Sequence, residues 1–212
     1  CIISTLSEER VEILKSAHNL YNIKKFLIEK IISNSREKIL DLKNYANQHK
    51  LYIWVNCKTR TYKINKKIKE KIFDATLPDS KIHFQYTCGN WGLATNAIHA
   101  IDLFTFFDST KFLTLKYSKF AKKVFTTKRG TFDINGTLFA ASNTSSTLFI
   151  DFNPFSKSPD VYSISSSNGN FLVDNTNKSA YFSTLGNDWK WEKIVLKENI
   201  FVSHMTKKFI ID

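Results

Sequence analysis

The first part of the sequence alternates short apolar runs with stretches of helical periodicity. Apolar runs at Cys1–Ser4, Phe26–Ile28 and Tyr52–Val55 predict three buried strands. Between them, apolar residues recur every three or four positions, which predicts two amphipathic helices. Strand–helix–strand–helix–strand at these lengths is typical of a parallel, doubly wound sheet. We therefore expect an α/β fold for this part of the chain.

Individual residues predict where the two helices begin and which faces they bury. Ser7 is a candidate N-cap for the first helix, because Glu8 and Glu9 follow it in the first turn, where the helix dipole favours acids. Ser35 is the candidate N-cap of the second helix. The inner faces are predicted to be Val11, Leu14, Ala17 and Leu20 in the first helix, and Ile39, Leu42, Ala46 and His49 in the second.

Polar residues follow each of the three predicted strands. Ser4-Thr5, Glu29-Lys30 and Asn56 stand at the carboxyl ends, where parallel sheets collect their ligands. No GxGxxG occurs, and glycine is scarce with 6 in all, so a phosphate-cradling turn is missing. The sequence opens within an apolar run and stops within another, Lys208–Asp212. We therefore expect a fragment at both ends.

The later part of the chain changes character. A lysine-rich helix over about Tyr62 to Phe73 precedes a break at Pro78, a strand at Ile82–Thr87 and a helix over about Leu93 to Phe107. Short β runs separated by Asn-Gly and Asn-Pro turns then predict an antiparallel sheet. The runs are Thr131–Ile134, Thr137–Ala141, Thr147–Phe152, Tyr162–Ser165, Phe171–Asp174, Ser179–Ser183 and Trp191–Val195. We expect an α/β domain over 1–58, then an α+β domain with a large open, mainly antiparallel sheet over 59–212.

The window 82–110 contains no Lys, Arg or Glu, although the chain has 31 Lys and Arg. Its helix is apolar nearly all round, which is typical of a buried helix. Thr95, His99 and Asp102 fall on one face of it, with Asn96 beside them. Buried ionisable groups need partners, and such pairs are frequent at functional sites. The alternative is a structural core histidine held by Asp102. One His and one Asp do not make a metal site.

The formal net charge of +12 raises the question of a nucleic-acid partner. The lysines are spread widely, and their densest cluster interleaves with isoleucine as on the wet face of a helix: Lys63, Lys66, Lys67, Lys69 and Lys71. A solvated surface is favoured over nucleic-acid binding. We expect no membrane span, because the longest apolar region carries several polar residues. Three cysteines without a CxxC pair favour free thiols in a reducing cytoplasm.

The segment from Gly89 to Leu103, which contains His99 and Asp102, resembles a helix of the glucose–fructose oxidoreductase, inositol dehydrogenase and rhizopine-catabolism family (Gfo/Idh/MocA). In that family a glycine-rich approach leads into a helix with a catalytic His and, three residues on, an Asp. Phe26–Ile31 is similar to its Glu-Lys-Pro signature, and Ser4-Thr5-Leu6 to its Thr-Pro loop. Trp54-Val55-Asn56 with Arg60 resembles its crossover between domains. Lys128-Arg129-Gly130 through Leu138 is similar to the start of its open sheet.

The resemblance implies an NAD- or NADP-dependent oxidoreductase of carbohydrate metabolism that acts on a sugar or nucleotide-sugar hydroxyl. Residues 1–58 would be the C-terminal part of the Rossmann domain, and 59–212 the truncated substrate-binding and catalytic domain. Lys30, His99 and Asp102 would be catalytic. Thr5, Glu29, Lys30 and Arg60 would line the cofactor cleft, and Asn90, Trp91, Thr95 and Asn96 would bind substrate. The open sheet would pack subunits into a homo-oligomer.

Two positions depart from the family pattern. Ile31 stands where the family usually has Pro, which would loosen the turn that presents Lys30. Thr95 stands where many members have an Asp, which weakens a proton relay and leaves Asn96 to bind substrate. Trp91 fits a core position as well as a sugar-facing one. The alternatives for the whole chain are a non-catalytic sugar-binding or oligomerisation module and, less favoured, a basic nucleic-acid binder.

Overall fold

The computed structural model describes residues 1–72, 81–122, 124–126 and 132–196. The chain divides into two compact units, of which the first comprises Cys1–Lys58 and the second begins at Thr59. The predicted fold class, α/β followed by α+β, is confirmed. The cofactor-binding and substrate-binding roles of 1–58 and 59–212 stay predictions. Several predicted features lie outside the described residues: Phe73, Pro78, Lys128-Arg129-Gly130, Thr131 and the run Lys208–Asp212.

The first unit is built on a parallel sheet of three described strands in the order β1-β2-β3. Its elements are β1 (Ile2–Ile3), α1 (Arg10–Tyr21), β2 (Lys25–Ile28), α2 (Arg36–His49) and β3 (Tyr52–Val55). Apolar side chains from the strands and both helices form its core, including Ile3, Val11, Leu14, Phe26, Ile28 and Leu42. Because all three strands run the same way, their carboxyl ends meet at one edge.

The N-cap prediction is confirmed for α2 and wrong for α1. Ser35 accepts a hydrogen bond from the backbone N–H of Lys38 at 3.2 Å. Helix α1 begins at Arg10 with Glu9 at its N-cap and no side-chain cap, because a turn over the preceding residues delays the helix. Leu20 is 73% exposed, so its assignment to the inner face is also wrong. His18 is buried in its place, with Nδ1 3.0 Å from the carbonyl oxygen of Ile23.

The predicted inner face of α2 is confirmed only in its centre. Leu42 is buried, whereas Ile39 is 39% exposed. Ala46 and His49 are half-buried. The fully buried part of α2 is therefore narrower than the predicted face, and the outer predicted positions stay in contact with solvent.

Within the residues described for it, the second unit holds two α-helices and a large mixed sheet. Its helices are α3 (Lys63–Ile72) and α4 (Leu93–Asp108). Its described strands are β4 (Ile82–Gly89), β5 (Leu113–Phe120), β6 (Phe125–Thr126), β7 (Phe132–Asp133), β8 (Gly136–Ser142), β9 (Thr147–Asn153), β10 (Val161–Ser166), β11 (Gly169–Asp174), β12 (Ser179–Thr184) and β13 (Glu192–Val195).

Among the described residues, eight of these strands form one sheet in the order β13-β12-β11-β10-β4-β9-β8-β5. Neighbouring strands are antiparallel except β4 and β9, which run parallel. The predicted mainly antiparallel sheet is therefore confirmed. Strand β5 was not predicted, although Leu113, Leu115 and Tyr117 alternate with polar residues; the strand is exposed along almost its whole length.

Helix α4 packs on β4 and β9 and is the centre of the larger core. Leu103, Phe104 and Phe107 are each at most 1% exposed, as the all-round apolar pattern predicted. Helix α3 packs against β11 and α4 through Ile68 and Ile72, while most of its lysines face solvent. The lysine-rich segment therefore forms the amphipathic helix predicted for it.

Candidate functional site

The carboxyl edge of the three-stranded sheet carries the predicted residues of the first unit. Glu29 follows β2 and is half-buried, and Thr5 follows β1 and is exposed. The side-chain amide of Asn56, after β3, donates a hydrogen bond to the carboxylate of Glu29. The edge therefore brings Glu29 and Asn56 together, as the strand ends predicted.

Arg10 is a residue of this edge that the sequence analysis missed. Its side chain is buried, and Nε and Nη2 donate to the carbonyl oxygen of Thr5 at 2.9 and 2.6 Å. Nη1 donates to the carbonyl oxygen of Glu29 at 2.9 Å and also to that of Ile31. Burial lowers the pKa of Arg10, while the charge of Glu29 opposes that shift. An arginine that follows two glutamates is expected on the surface, so no local sequence signal predicts that Arg10 is buried at this edge.

Lys30 directly follows Glu29 and is half-buried. The peptide bond between Lys30 and Ile31 is cis. The carbonyls on both sides of Lys30, those of Glu29 and Ile31, accept from Arg10. The backbone that presents Lys30 is thus anchored to the start of α1.

In the second unit, the polar residues predicted on one face of α4 lie there. His99 is 7% exposed, and its ring centroid lies 6.1 Å from that of Trp91. Trp91 is half-buried and also packs against Tyr86 and Phe152. The His99 ring therefore lies beside Trp91, and Trp91 has the core contacts that the sequence left open for it.

Asp102 and Arg60 form an ion pair. Nε of Arg60 donates to one carboxylate oxygen at 2.8 Å, and Nη2 donates to the other. Burial raises the pKa of Asp102, and the hydrogen bonds and charge of Arg60 lower it. The sequence analysis assigned Arg60 to the cofactor cleft and Asp102 to catalysis. The structure joins these two residues directly, and their catalytic roles stay predictions.

The N-terminus of α4 is held by Asp133, which the sequence analysis did not single out. One carboxylate oxygen accepts from the backbone N–H groups of Ala94 and Ile134, both at 2.8 Å. The other accepts from the hydroxyl of Thr95. Asp133 is 2% exposed, so this is a buried carboxylate bound to the positive end of a helix. Its position in β7, far from α4 in sequence, explains why no local pattern revealed it.

Thr95 and Asn96 belong to the same hydrogen-bonded group. The amide of Asn96 donates to the hydroxyl of Thr95 at 3.0 Å and to the carbonyl oxygen of Gly92 at 3.1 Å. Gly92 itself has no room for a side chain, because a Cβ there would overlap the carboxylate of Asp133. The first turn of α4 is therefore fixed by side chains that were predicted to bind substrate.

Asn90 is exposed and precedes this turn with a left-handed backbone, φ 60°. Its N–H donates to the carbonyl oxygen of Ser156 at 3.0 Å, and that of Gly89 donates to Ser158 at 3.1 Å. A Cβ at Gly89 would lie 2.5 Å from the carbonyl oxygen of Ser156. The loop between β9 and β10 thus packs against the approach to α4, where only glycine fits.

The parts of the chain that the structure describes contain no group of three His, Cys, Asp or Glu side chains that could hold a metal ion. Within the same ranges, no helix is both long and apolar enough to cross a membrane.

Solved structures share this fold. The UDP-N-acetylglucosamine 3-dehydrogenase GnnA from Acidithiobacillus ferrooxidans is 13% identical with a TM-score of 0.76, over 99% of this chain and 67% of that one. KijD10, a 3-ketoreductase from Actinomadura kijaniata crystallised as a mutant with TDP-benzene and NADP, is 12% identical with a TM-score of 0.74, over 98% and 67%. The fold is that of the C-terminal part of a Gfo/Idh/MocA-type oxidoreductase.

Gal80p from Saccharomyces cerevisiae, crystallised as a super-repressor mutant, has this fold as well, with 14% identity and a TM-score of 0.72 over 95% of this chain and 62% of that one. The chain thus spans about two thirds of the length of these Gfo/Idh/MocA-type structures. No protein-family model and no curated protein matches the sequence. At these identities the likeness shows the fold.

Proposed function

We propose that this chain is part of a Gfo/Idh/MocA-family oxidoreductase that uses NAD or NADP to oxidise or form a hydroxyl of a sugar or nucleotide sugar. The observation that carries the proposal is the polar face of α4. The buried His99, and Asp102 in its ion pair with Arg60, lie on a helix that is apolar nearly all round, in a fold shared with a UDP-N-acetylglucosamine 3-dehydrogenase. Such groups are frequent where protons are handled.

In the proposed reaction, the chain's own residues manage the oxygen and its proton. The ammonium of Lys30 would hold and polarise the reacting hydroxyl oxygen, and His99 would take its proton as general base, or return it in the reverse direction. Asp102, held by Arg60, would fix a negative charge beside the sugar. When bound, the nicotinamide supplies the hydride chemistry. Asn90, Trp91, Thr95 and Asn96 would contact the sugar.

The residues present fit part of a dinucleotide. Thr5, Glu29 and Lys30 supply polar groups at the carboxyl edge of the parallel sheet, where such a ligand would lie. The sequence contains no GxGxxG turn for a pyrophosphate. We therefore expect this chain by itself to bind NAD and NADP poorly, which calorimetry would measure.

The test is a turnover assay on the complete gene product with a panel of sugars and nucleotide sugars. Lys30→Ala and His99→Ala should each lower turnover by about 10²-fold or more. Lys25→Ala and His83→Ala are matched controls, because both side chains are exposed, and they should leave turnover unchanged. Full activity in both Lys30→Ala and His99→Ala would refute the site assignment.

A second candidate is a non-catalytic assembly module. Its support is the likeness to Gal80p, whose Kluyveromyces lactis form is described as a transcriptional regulator, and the exposed apolar side chains of the edge strand β5. Leu115, Tyr117 and Phe120 are 58%, 54% and 49% exposed. Under either candidate we propose homo-oligomers through the open sheet and a cytoplasmic location. Light scattering on this chain would show a monomer if the oligomer proposal is wrong.

A further inference from the structure

The side chain of Arg10 binds two segments of the first unit, the one after β1 and the one after β2. Arg10 is 8% exposed, and its guanidinium makes four hydrogen bonds to three backbone carbonyls. Those of Glu29 and Ile31 belong to the segment after β2. That of Thr5 belongs to the segment after β1. One side chain therefore ties together the two strand ends at the carboxyl edge.

Only an arginine can make this set of contacts. The planar guanidinium directs several N–H donors in fixed directions, whereas a lysine offers one compact ammonium and a glutamine one short amide. A buried guanidinium is retained only where its donors are satisfied, since desolvation of a charge is costly. Here all the acceptors are backbone carbonyl oxygens, so the guanidinium of Arg10 holds the backbone at these residues in place.

The positions fixed are those on either side of Lys30. The carbonyl of Glu29 precedes Lys30 and the carbonyl of Ile31 follows it, and Nη1 of Arg10 donates to both. The side chain of Glu29 is held separately by Asn56. The segment Glu29–Ile31 is thus anchored to α1 through its backbone and to the segment after β3 through a side chain.

We propose that Arg10 is the positioning residue for Lys30: it fixes the carbonyl groups of Glu29 and Ile31, the residues on either side of Lys30, and so sets where the ammonium stands at the carboxyl edge. The catalytic importance of that position rests on the proposed function of Lys30. The anchoring itself does not, and it is measurable on this chain alone.

The experiment is competitive acetylation of the folded chain, with the rate at each lysine read by mass spectrometry. Lys24 and Lys25 are exposed and serve as internal standards. In Arg10→Gln, Lys30 should react several-fold faster relative to both standards, because its segment is released from α1. Arg10→Lys should give a smaller increase in the rate at Lys30, because one ammonium can replace some of the hydrogen bonds that Arg10 makes. A general loss of stability would change all three lysines together.

Arg36→Gln is the matched control, because Arg36 also begins a helix and is exposed; it should leave the three rates unchanged. An unchanged Lys30 ratio in folded Arg10→Gln overturns the proposal. If Arg10→Gln is unfolded by circular dichroism, Arg10→Lys decides: a change confined to Lys30 supports the proposal and an unchanged ratio overturns it.

Activity of the complete gene product separates this proposal from the proposed function. If Lys30→Ala abolishes turnover, Arg10→Gln should lower kcat several-fold, with partial recovery in Arg10→Lys. If Lys30→Ala is fully active while the acetylation ratio shifts in Arg10→Gln, the proposed role of Lys30 is wrong and the anchoring by Arg10 stands.

Discussion

The carboxylate of Asp133 lies where the side chain of residue 92 would be, so Gly92 and Asp133 share one position in the fold. A Cβ at Gly92 would overlap the carboxylate. That carboxylate accepts from the N–H of Ala94 and the hydroxyl of Thr95 in the first turn of α4. The start of the helix that carries His99 therefore depends on Gly92, which leaves room for the buried carboxylate of Asp133 from β7.

Gly92→Ala should destabilise the fold, because the new methyl group must displace the carboxylate of Asp133. Overpacking of this kind costs about 1–3 kcal/mol, measured as the free energy of unfolding in urea. Gly186→Ala is the matched control, because a Cβ there would meet nothing within 4 Å. Equal stability of the two variants would contradict the shared position of Gly92 and Asp133.

Asp133→Ala should be more costly than a typical surface substitution, because it leaves the N–H groups of Ala94 and Ile134 without their acceptor. We expect a loss of about 2–4 kcal/mol. Asp133→Asn keeps an acceptor oxygen and should lose less. Asp151→Ala, at an exposed position, is the control. Chemical denaturation of the four proteins measures the order, and an Asp133→Ala variant as stable as the parent would count against the capping role.

The Arg60–Asp102 pair predicts a pH dependence. Burial raises the pKa of Asp102 above its ordinary value of 3.8, and Arg60 lowers it. Because the folded-state pKa lies above the unfolded one, the stability contributed by this carboxyl is fully present below pH 3.8 and lost as the pH rises through the folded-state pKa. Arg60→Leu removes the group that lowers the pKa of Asp102, so the folded-state pKa of Asp102 rises further. The variant should lose more stability at neutral pH than below pH 3.8.

Urea unfolding of Arg60→Leu at the two pH values measures this difference. We expect a loss of about 1–3 kcal/mol at neutral pH, below the value for a fully buried pair because the Arg60 side chain is 42% exposed. Lys15→Leu breaks the more exposed pair with Asp41 and should cost less than about 1 kcal/mol. A loss in Arg60→Leu that is the same at both pH values would show that the charge of Asp102 is not involved.

The cysteines should differ in reactivity. None of the three forms a disulfide bond; Cys1 is exposed, and Cys57 and Cys88 are buried. Burial, with a contribution from Asp160, raises the pKa of Cys88 to about 12, so its reactive thiolate is scarce near neutral pH. A thiol reagent should therefore modify Cys1 rapidly in the folded chain, and Cys57 and Cys88 only after denaturation. Rapid modification of Cys88 in the native state would show that this strand is accessible.

The sequence by itself determined the elements whose signal is local. Alternation of apolar runs and helical periodicity predicted the parallel sheet, and the all-round apolar pattern predicted that α4 is buried. Ser35 could be predicted as an N-cap from the sequence, because the backbone N–H that it binds, that of Lys38, lies only three residues away. Periodicity reports which face of an element is buried, and caps involve near neighbours, so both can be read along the chain.

Only the tertiary structure decided the polar contacts at the candidate site. Arg10 reaches carbonyls up to 21 residues away, Asp133 reaches α4 across 39 residues, and Arg60 reaches Asp102 across 42. The sequence does not show which partner a charged side chain binds, since an arginine can lie on a solvated surface or donate to buried carbonyl oxygens. The sequence supplied His99, Asp102 and Lys30 as candidates, and the fold supplied the groups that hold Lys30 and Asp102 in place.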